Sequence, residues 1–176
     1  MQNIEIKASY PDLAKARALA EEEGGMLEGR FRQVDTYFRV EEGRLKLREI
    51  STGENQLIFY RRPDVVQPKL SDYHICPVSE PASLKRLLSD ALGIVQVVDK
   101  EREVYWIEGV RVHLDDVRGL GTFLELEGVV EPPRDASVMR ERVNRLLQVF
   151  EVSDAQLIQG SYADLQFAAA RKRKRD

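Results

Sequence analysis

The sequence predicts an α+β fold that is mainly antiparallel β, in which roughly eight strands form a barrel or a strongly curved sheet beside a few helices. Three observations predict it. Segments with alternating polar and apolar residues recur along the chain, tight glycine turns separate most of them, and few stretches have helical periodicity. The 176 residues are enough for one domain with its own core.

The strands are predicted from period-two alternation, which places successive side chains on opposite faces. The first strand reads Asn3-Ile-Glu5-Ile-Lys7, with its polar residues on one face and its isoleucines on the other. Turns such as Glu42-Gly43 separate the later strands. The predicted strands cover residues 3–7, 29–40, 44–50, 56–62, 70–77, 95–107, 110–117 and 122–130.

The helices are predicted where apolar residues recur at helical spacing, at 12–23, 82–92 and 136–149. Gly24-Gly25 and Gly93 follow the first two, as is typical of helix C termini. A short helix is predicted at 153–158, and 161–170 is predicted to be helical or irregular. The domain is therefore predicted to cover 1–170, and the charge run at 171–176 is predicted to be a basic disordered tail.

Composition excludes several classes of function. A net charge of −3 does not indicate a specific nucleic-acid partner. The single cysteine, Cys76, cannot form a disulfide within the chain or a cysteine zinc site. We expect a cytoplasmic protein without membrane insertion, because no signal segment or bilayer-length apolar run is present.

Basic residues recur on the polar strand faces. If these faces turn inward, the cations repel one another unless a polyanion lies among them, and a triphosphate suits such a cavity. Arginine binds phosphate oxygens in pairs, and lysine acts as a point charge. The predicted phosphate-binding residues are Lys7, Lys46, Arg48, Arg62, Lys69, Lys100 and Arg102.

Acidic residues share the same faces. Glu5, Glu125 and Glu127 form the main set, with Asp35 and Asp115 as possible additions. Carboxylates beside bound phosphates are the usual ligands of Mg²⁺ or Mn²⁺, and such an ion polarises the reacting phosphorus. The alternative is a sheet with one face in water and many cross-strand salt bridges.

Short motifs follow one another almost to residue 164: Asn3-Ile-Glu5-Ile-Lys7, Asp35-Thr-Tyr-Phe38, Leu45-Lys-Leu-Arg48, Lys100-Glu-Arg102, His113-Leu-Asp115 and Gly119-Leu-Gly-Thr-Phe-Leu-Glu-Leu-Glu127. Together they resemble the CYTH family, the triphosphate tunnel metalloenzymes, whose opening signature is Glu-x-Glu-x-Lys. The resemblance implies an eight-stranded, closed or nearly closed antiparallel barrel that forms a tunnel. It implies phosphate binding by the basic set and Mg²⁺ or Mn²⁺ binding by Glu5, Glu125 and Glu127.

The resemblance also implies roles in catalysis. Lys7 and Arg102 would act on the phosphates, and Asp115 would be a neighbouring ligand or an acid–base group. Three stretches resemble the class IV adenylyl cyclase branch and add Arg62 and Lys69 to the phosphate contacts. They are Tyr60-Arg-Arg-Pro-Asp64, Pro68-Lys-Leu-Ser-Asp-Tyr73 and Ser161-Tyr-Ala-Asp-Leu165. Asn3 departs from the signature, because its neutral amide replaces a glutamate.

Three functions are compatible with this sequence. The first is cyclisation of ATP to cyclic AMP and pyrophosphate, which the cyclase-like stretches favour. The second is hydrolysis of inorganic triphosphate, a nucleoside triphosphate or thiamine triphosphate. The third is a non-catalytic module that binds polyphosphate or nucleotides, and the pair Glu125 and Glu127 argues against it because anion binding alone needs no metal ligands. A homodimer is expected only because two-fold dimers are the commonest assemblies.

Overall fold

The structure is a computed structural model and describes residues 2–61, 69–130 and 135–173. Within these ranges the chain forms eight strands that close into one barrel. In chain order the strands are β1 (Gln2–Ser9), β2 (Met26–Phe38), β3 (Arg44–Ile50), β4 (Gln56–Arg61), β5 (Lys69–Pro77), β6 (Ile94–Ile107), β7 (Val110–Val117) and β8 (Gly121–Val130). The predicted mainly antiparallel barrel is confirmed.

The order of strands around the barrel is β1-β5-β4-β3-β2-β6-β7-β8, and β8 pairs with β1 to close it. Every neighbouring pair is antiparallel. The register places oppositely charged residues directly across from each other. Lys7 lies opposite Glu125, and Arg102 lies opposite Asp115. Since side chains alternate along each strand, one choice of inward face brings all of these groups into the barrel.

In the described part of the chain, four α-helices pack outside the strands or across one end of the barrel. They are α1 (Leu13–Glu22), α2 (Pro81–Leu92), α3 (Ala136–Val149) and α4 (Tyr162–Arg173). Asp12 begins α1 by accepting from the Lys15 backbone N–H at 2.9 Å, and Asp135 begins α3 by accepting from Ser137 N–H at 2.7 Å. These caps satisfy N–H groups that have no partner within the helix. A single turn of 3-10 helix covers Asp154–Gln156.

The main apolar core lies between the outer face of the barrel and helices α1 and α3. Ile4 and Ile6 belong to it together with Leu124 and Leu126 of β8. Met139, Val143 and Leu146 of α3 are fully buried. Burial of each such side chain stabilises the fold by roughly 1.5–3 kcal/mol. The close approach of α3 to β8 requires a glycine at position 128, because a Cβ atom on Gly128 would lie 3.2 Å from the Met139 Cβ.

The last helix closes one end of the barrel. The chain reaches it after Leu157 bridges to Ala8 and after the Ile158 N–H donates to the Lys7 carbonyl at 2.9 Å. Helix α4 continues to Arg173, so its last turn enters the segment predicted to be a disordered tail. That prediction is untested for 174–176, which lie outside the described residues. None of the described helices is both long and apolar enough to cross a membrane.

Candidate active site

The barrel encloses a cavity whose empty space, with its open mouth, is about 910 Å³. Its lining divides into two parts. Inward side chains of β1, β2, β3, β6, β7 and β8 form a charged wall. Strands β4 and β5 contribute the polar Gln56 and an apolar wall, which consists of Ile58, Tyr60, Tyr73 and Ile75. The inward position of the charged residues agrees with the predicted cavity and not with a sheet whose polar face is open to water.

Asp35 on β2 holds two of the predicted phosphate-binding residues of β3. Lys46 Nζ lies 2.9 Å from its Oδ2, and Arg48 donates to both oxygens at 2.9 and 3.0 Å. Burial by itself would raise the pKa of this carboxyl, but Arg48 and Lys46 hold that pKa well below its usual range. Burial, with Arg48 as a second cause, lowers the pKa of Lys46 to about 8. Asp35 therefore stays ionised and fixes both cations.

Asp115 on β7 holds the second basic pair. Arg102 donates to both of its oxygens at 2.6 Å, and Lys100 Nζ lies 3.2 Å from Oδ2. The Tyr162 hydroxyl donates to the same oxygen at 2.7 Å. Although burial opposes ionisation, Arg102 and Lys100 lower the pKa of Asp115 below its usual range. Burial and the neighbouring Arg102 lower the pKa of Lys100 to about 7.

Glu125 on β8 joins the first strand to this second group. Lys7 Nζ lies 2.8 Å from its Oε1, and Arg102 donates to its Oε2 at 2.7 Å. Burial raises its pKa and the Lys7 and Arg102 charges lower it, with a net result well below the usual range. Lys7, Arg102 and Glu125 thus form a continuous chain of buried ion pairs.

Glu127 lies one inward position further towards the end of β8 at which β1 begins. Asn3 donates to its Oε1, Arg111 Nη2 lies 3.1 Å from the same oxygen, and His113 Nε2 lies 3.1 Å from Oε2. Burial opposes ionisation here too, yet Arg111 and His113 lower the pKa of Glu127 to about 2. Burial lowers the pKa of His113 to about 4, so the imidazole is neutral at pH 7 and Arg111 supplies the positive charge.

The barrel brings most of the predicted site residues together. Arg62 lies outside the described residues, and Lys69 begins β5 without a described side chain. Asp115 has no exposed surface and lies behind the amines it holds. The predicted residues that line the cavity are Glu5, Lys7, Lys46, Arg48, Lys100, Arg102, Glu125 and Glu127.

The donor set fits a hard divalent cation. Glu5 lies directly opposite Glu127 across the β1–β8 pair, and Asn3 Oδ1 is a buried oxygen with no hydrogen-bond partner among the described residues. Oxygen ligands of this kind suit Mg²⁺ and Mn²⁺. In the side-chain positions found here, no three acidic, histidine or cysteine side chains of the described ranges are grouped to hold an ion. Glu125 and Glu127 are instead held by basic residues.

Some lining residues were not predicted as site residues. Arg111 shares the inward face of β7 with His113 and Asp115, so strand alternation was a sufficient signal for it. The apolar wall gave no signal, because tyrosine and isoleucine are equally typical of an ordinary strand core. Tyr162 begins a helix far from the strands in sequence, and only the closing of the barrel end brings it to the cavity.

Comparison with known proteins identifies the family. The model of the CYTH domain matches residues 1–162. The chain belongs to the CYTH family. Proteins of this family bind triphosphate substrates such as ATP and generally use divalent metal ions. The cavity described above therefore lies in a domain of this family.

Individual relatives agree with this assignment. A Methanocaldococcus jannaschii protein, named provisionally as an adenylate cyclase, is 28% identical over 137 residues, which are 77% of each chain. The PH1012 protein of Pyrococcus horikoshii has the same fold, with a TM-score of 0.83 and 20% identity over 93% of this chain and 98% of that one. A Hippeastrum protein has a TM-score of 0.59 and 17% identity over 97% of this chain and 95% of that one. Its name is that of an adenylyl cyclase, and it is described as having a dominant triphosphatase activity.

Proposed function

We propose that this chain is a metal-dependent enzyme that converts ATP to cyclic AMP and pyrophosphate inside the barrel. The observation that carries the choice of substrate is the division of one cavity into a charged wall and an apolar wall, and the three stretches that resemble the class IV adenylyl cyclase branch favour cyclisation. A triphosphate needs the first, and a nucleoside needs an apolar surface beside it. Inorganic triphosphate has no apolar group that could contact Ile75, which lines the cavity and is 38% exposed.

The reaction is an internal displacement. The ribose 3′-oxygen forms a bond to the α-phosphorus, the bond from that phosphorus to the bridging oxygen of the β-phosphate breaks, and pyrophosphate leaves. The hydroxyl proton passes to solvent. Lys46 and Arg48 would bind the β- and γ-phosphates from one side, and Lys7, Lys100 and Arg102 from the other. Fixed cations stabilise the charge that develops on the leaving pyrophosphate.

The metal ion would be held by Glu5, Glu125 and Glu127, with the Asn3 carbonyl oxygen as a neutral neighbour. When bound, Mg²⁺ or Mn²⁺ neutralises phosphate charge and lowers the pKa of a coordinated hydroxyl. In this proposal the phosphates would pair with Lys7, Arg102 and Arg111, which now bind Glu125 and Glu127, and these two carboxylates would then be available to hold the ion.

The contacts of Asp115 favour a positioning role for it within this proposal. Its oxygens already accept from Arg102, Lys100 and Tyr162, and its lowered pKa keeps it ionised. A group in this state cannot take up a proton near neutral pH. We therefore assign it the task of aiming Arg102 and Lys100 at the phosphates, in place of the ligand or acid–base role that the resemblance implied.

A second candidate is hydrolysis of the triphosphate. It is favoured by the described dominant triphosphatase activity of the Hippeastrum protein, which shares the fold. The same walls would then direct water to the γ-phosphorus, the bond from that phosphorus to the bridging oxygen would break, and orthophosphate and the remaining diphosphate would be the products. The two reactions differ in the nucleophile and in the phosphorus that it attacks.

A product assay separates the candidates. Purified protein is incubated with ATP, or with inorganic triphosphate, in the presence of Mg²⁺ or Mn²⁺, and the products are resolved by anion-exchange chromatography. Equal amounts of cyclic AMP and pyrophosphate support cyclisation, whereas orthophosphate supports the second candidate. ATP that is bound but unchanged would make the chain a binding module. Removal of the metal with a chelator is expected to stop turnover in either enzymatic case.

A further inference from the structure

Tyr162 lies where the closed end of the barrel meets the charged wall. It is the first residue of α4 and is only 5% exposed. Its ring packs against Phe123 of β8 with the centroids 4.9 Å apart. Its hydroxyl donates to Asp115 Oδ2 at 2.7 Å. The side chain thus enters the barrel from outside the sheet and ends at the buried Asp115.

The ring of Tyr162 also contacts two predicted phosphate-binding lysines. Lys7 Nζ lies 4.1 Å from the ring centroid and Lys100 Nζ lies 4.8 Å from it. An ammonium at this distance from a ring face is attracted by the π electrons, and more strongly when water is excluded. Lys7 pairs with Glu125 and Lys100 pairs with Asp115, so this one ring touches both ion-pair groups.

The start of α4 is fixed to the barrel, which holds Tyr162 in place. Asp164 accepts from the Ser161 N–H and hydroxyl at 2.7 Å each, and from Arg44 of β3 at 2.9 Å. Gly160, with φ of +86°, makes the turn into the helix, and a Cβ there would lie 3.0 Å from Asp164 Oδ2. These contacts tie the helix start to a strand on the opposite side of the barrel from β8.

We propose that Tyr162 is a positioning residue that connects helix α4 to the phosphate-binding amines. Its hydroxyl fixes Asp115 and, through it, Arg102. Its ring keeps Lys7 and Lys100 directed into the cavity. The role rests on the proposed function, because aiming these amines matters only if phosphates bind between them.

Two substitutions separate the parts of this role. Tyr162→Phe keeps the ring and removes only the donor to Asp115, so kcat is expected to fall about 10-fold while KM stays constant. Tyr162→Leu also removes the ring beside both lysines, and KM for ATP is expected to rise about 10-fold in addition. Tyr105→Phe is the matched control. Tyr105 is 1% exposed, lies in the outer core, and its hydroxyl has no hydrogen-bond partner among the described residues.

The split between kcat and KM distinguishes positioning from simple structural support. A residue that only stabilises the fold would lower the melting temperature and the active fraction of both variants and leave KM unchanged, and that result overturns the proposal. Wild-type kinetics in Tyr162→Phe together with a wild-type KM in Tyr162→Leu also overturns it. Tyr105→Phe is expected to retain wild-type kinetics.

Calorimetry keeps the two proposals distinguishable. If the wild-type chain binds inorganic triphosphate without converting any triphosphate, the proposed reaction is wrong, but this result does not decide the role of Tyr162. The role of Tyr162 is then decided by titration of inorganic triphosphate into each variant. About 10-fold weaker binding by Tyr162→Leu, with unchanged binding by Tyr162→Phe, supports the role, and equal affinities overturn it.

Discussion

The two walls of the cavity differ in what keeps them stable. The charged wall buries amines and guanidinium groups and needs internal carboxylates such as Asp35 and Asp115 to hold them. The isoleucines of the apolar wall on β4 and β5 are uncharged and need no carboxylate partner. Breaking one half of a buried ion pair leaves an uncompensated charge, whereas shortening an apolar side chain at a cavity mouth does not. Changes in the charged wall should therefore affect folding and chemistry, whereas a change at Ile75, which is the exposed member of the apolar wall, should affect only the choice of substrate.

The largest expected effect is on stability. Asp35→Asn leaves Lys46 and Arg48 buried without their carboxylate and should lower the free energy of unfolding by about 3–5 kcal/mol, measured by urea denaturation at pH 7. Asp99→Asn is the matched control, because Asp99 is also bound by two arginines but on the outer face of the barrel, where it is 20% exposed. Its loss should cost at most about 1 kcal/mol. Equal losses of unfolding free energy in Asp35→Asn and Asp99→Asn would show that burial of the ion pairs makes no difference to their contribution.

The next effect is on turnover. Glu125→Gln keeps the size of a predicted metal ligand and removes its charge, and kcat should fall on the order of 10²-fold. Glu103→Gln is a close control, since the Glu103 side chain is 14% exposed against 15% for Glu125 and is likewise paired with arginines, but on the outer face. It should keep wild-type kcat. Unimpaired turnover in Glu125→Gln would show that the metal is held elsewhere.

A smaller effect appears in the pH dependence of stability. The folded-state pKa of Asp35 lies well below its unfolded value of about 4 because of Arg48 and Lys46. Its contribution is therefore complete above pH 4 and is lost as the pH falls through the folded-state pKa. Asn cannot titrate, so the gap in unfolding free energy between wild type and Asp35→Asn should narrow below pH 4. A gap that stays constant down to pH 2.5 would contradict the assignment.

The smallest effect concerns the apolar wall. Ile75→Ala at the mouth of the cavity should raise KM for ATP about 5-fold, as expected for the lost apolar contact, and leave KM for inorganic triphosphate unchanged. Ile94→Ala, at 45% exposure against 38% for Ile75, is the control away from the cavity. If Ile75→Ala changes KM for ATP and KM for inorganic triphosphate by the same factor, the apolar wall does not bind the nucleoside.

The sequence by itself determined most of the elements and which residues share a face of each strand. The predicted ranges 44–50, 110–117 and 136–149 coincide with β3, β7 and α3, because alternation and capping residues are local signals. The side-chain period of a strand is fixed, so the polar alternates could be assigned to one face without knowing the partners. Strand β2 begins earlier than predicted, since Met26 and Leu27 pair with Trp106 and Tyr105 beyond a bulge.

Only the tertiary structure decided which charges meet. Asp35 reaches Arg48 through the β2–β3 register, Glu125 reaches Lys7 through the pair that closes the barrel, and Tyr162 arrives from a helix. These contacts join distant parts of the chain, and their geometry depends on register, closure and the packing of α4. The sequence showed which residues share a strand face, but it could not show that the basic residues already have carboxylate partners, because pairing is a property of the closed barrel and not of any strand.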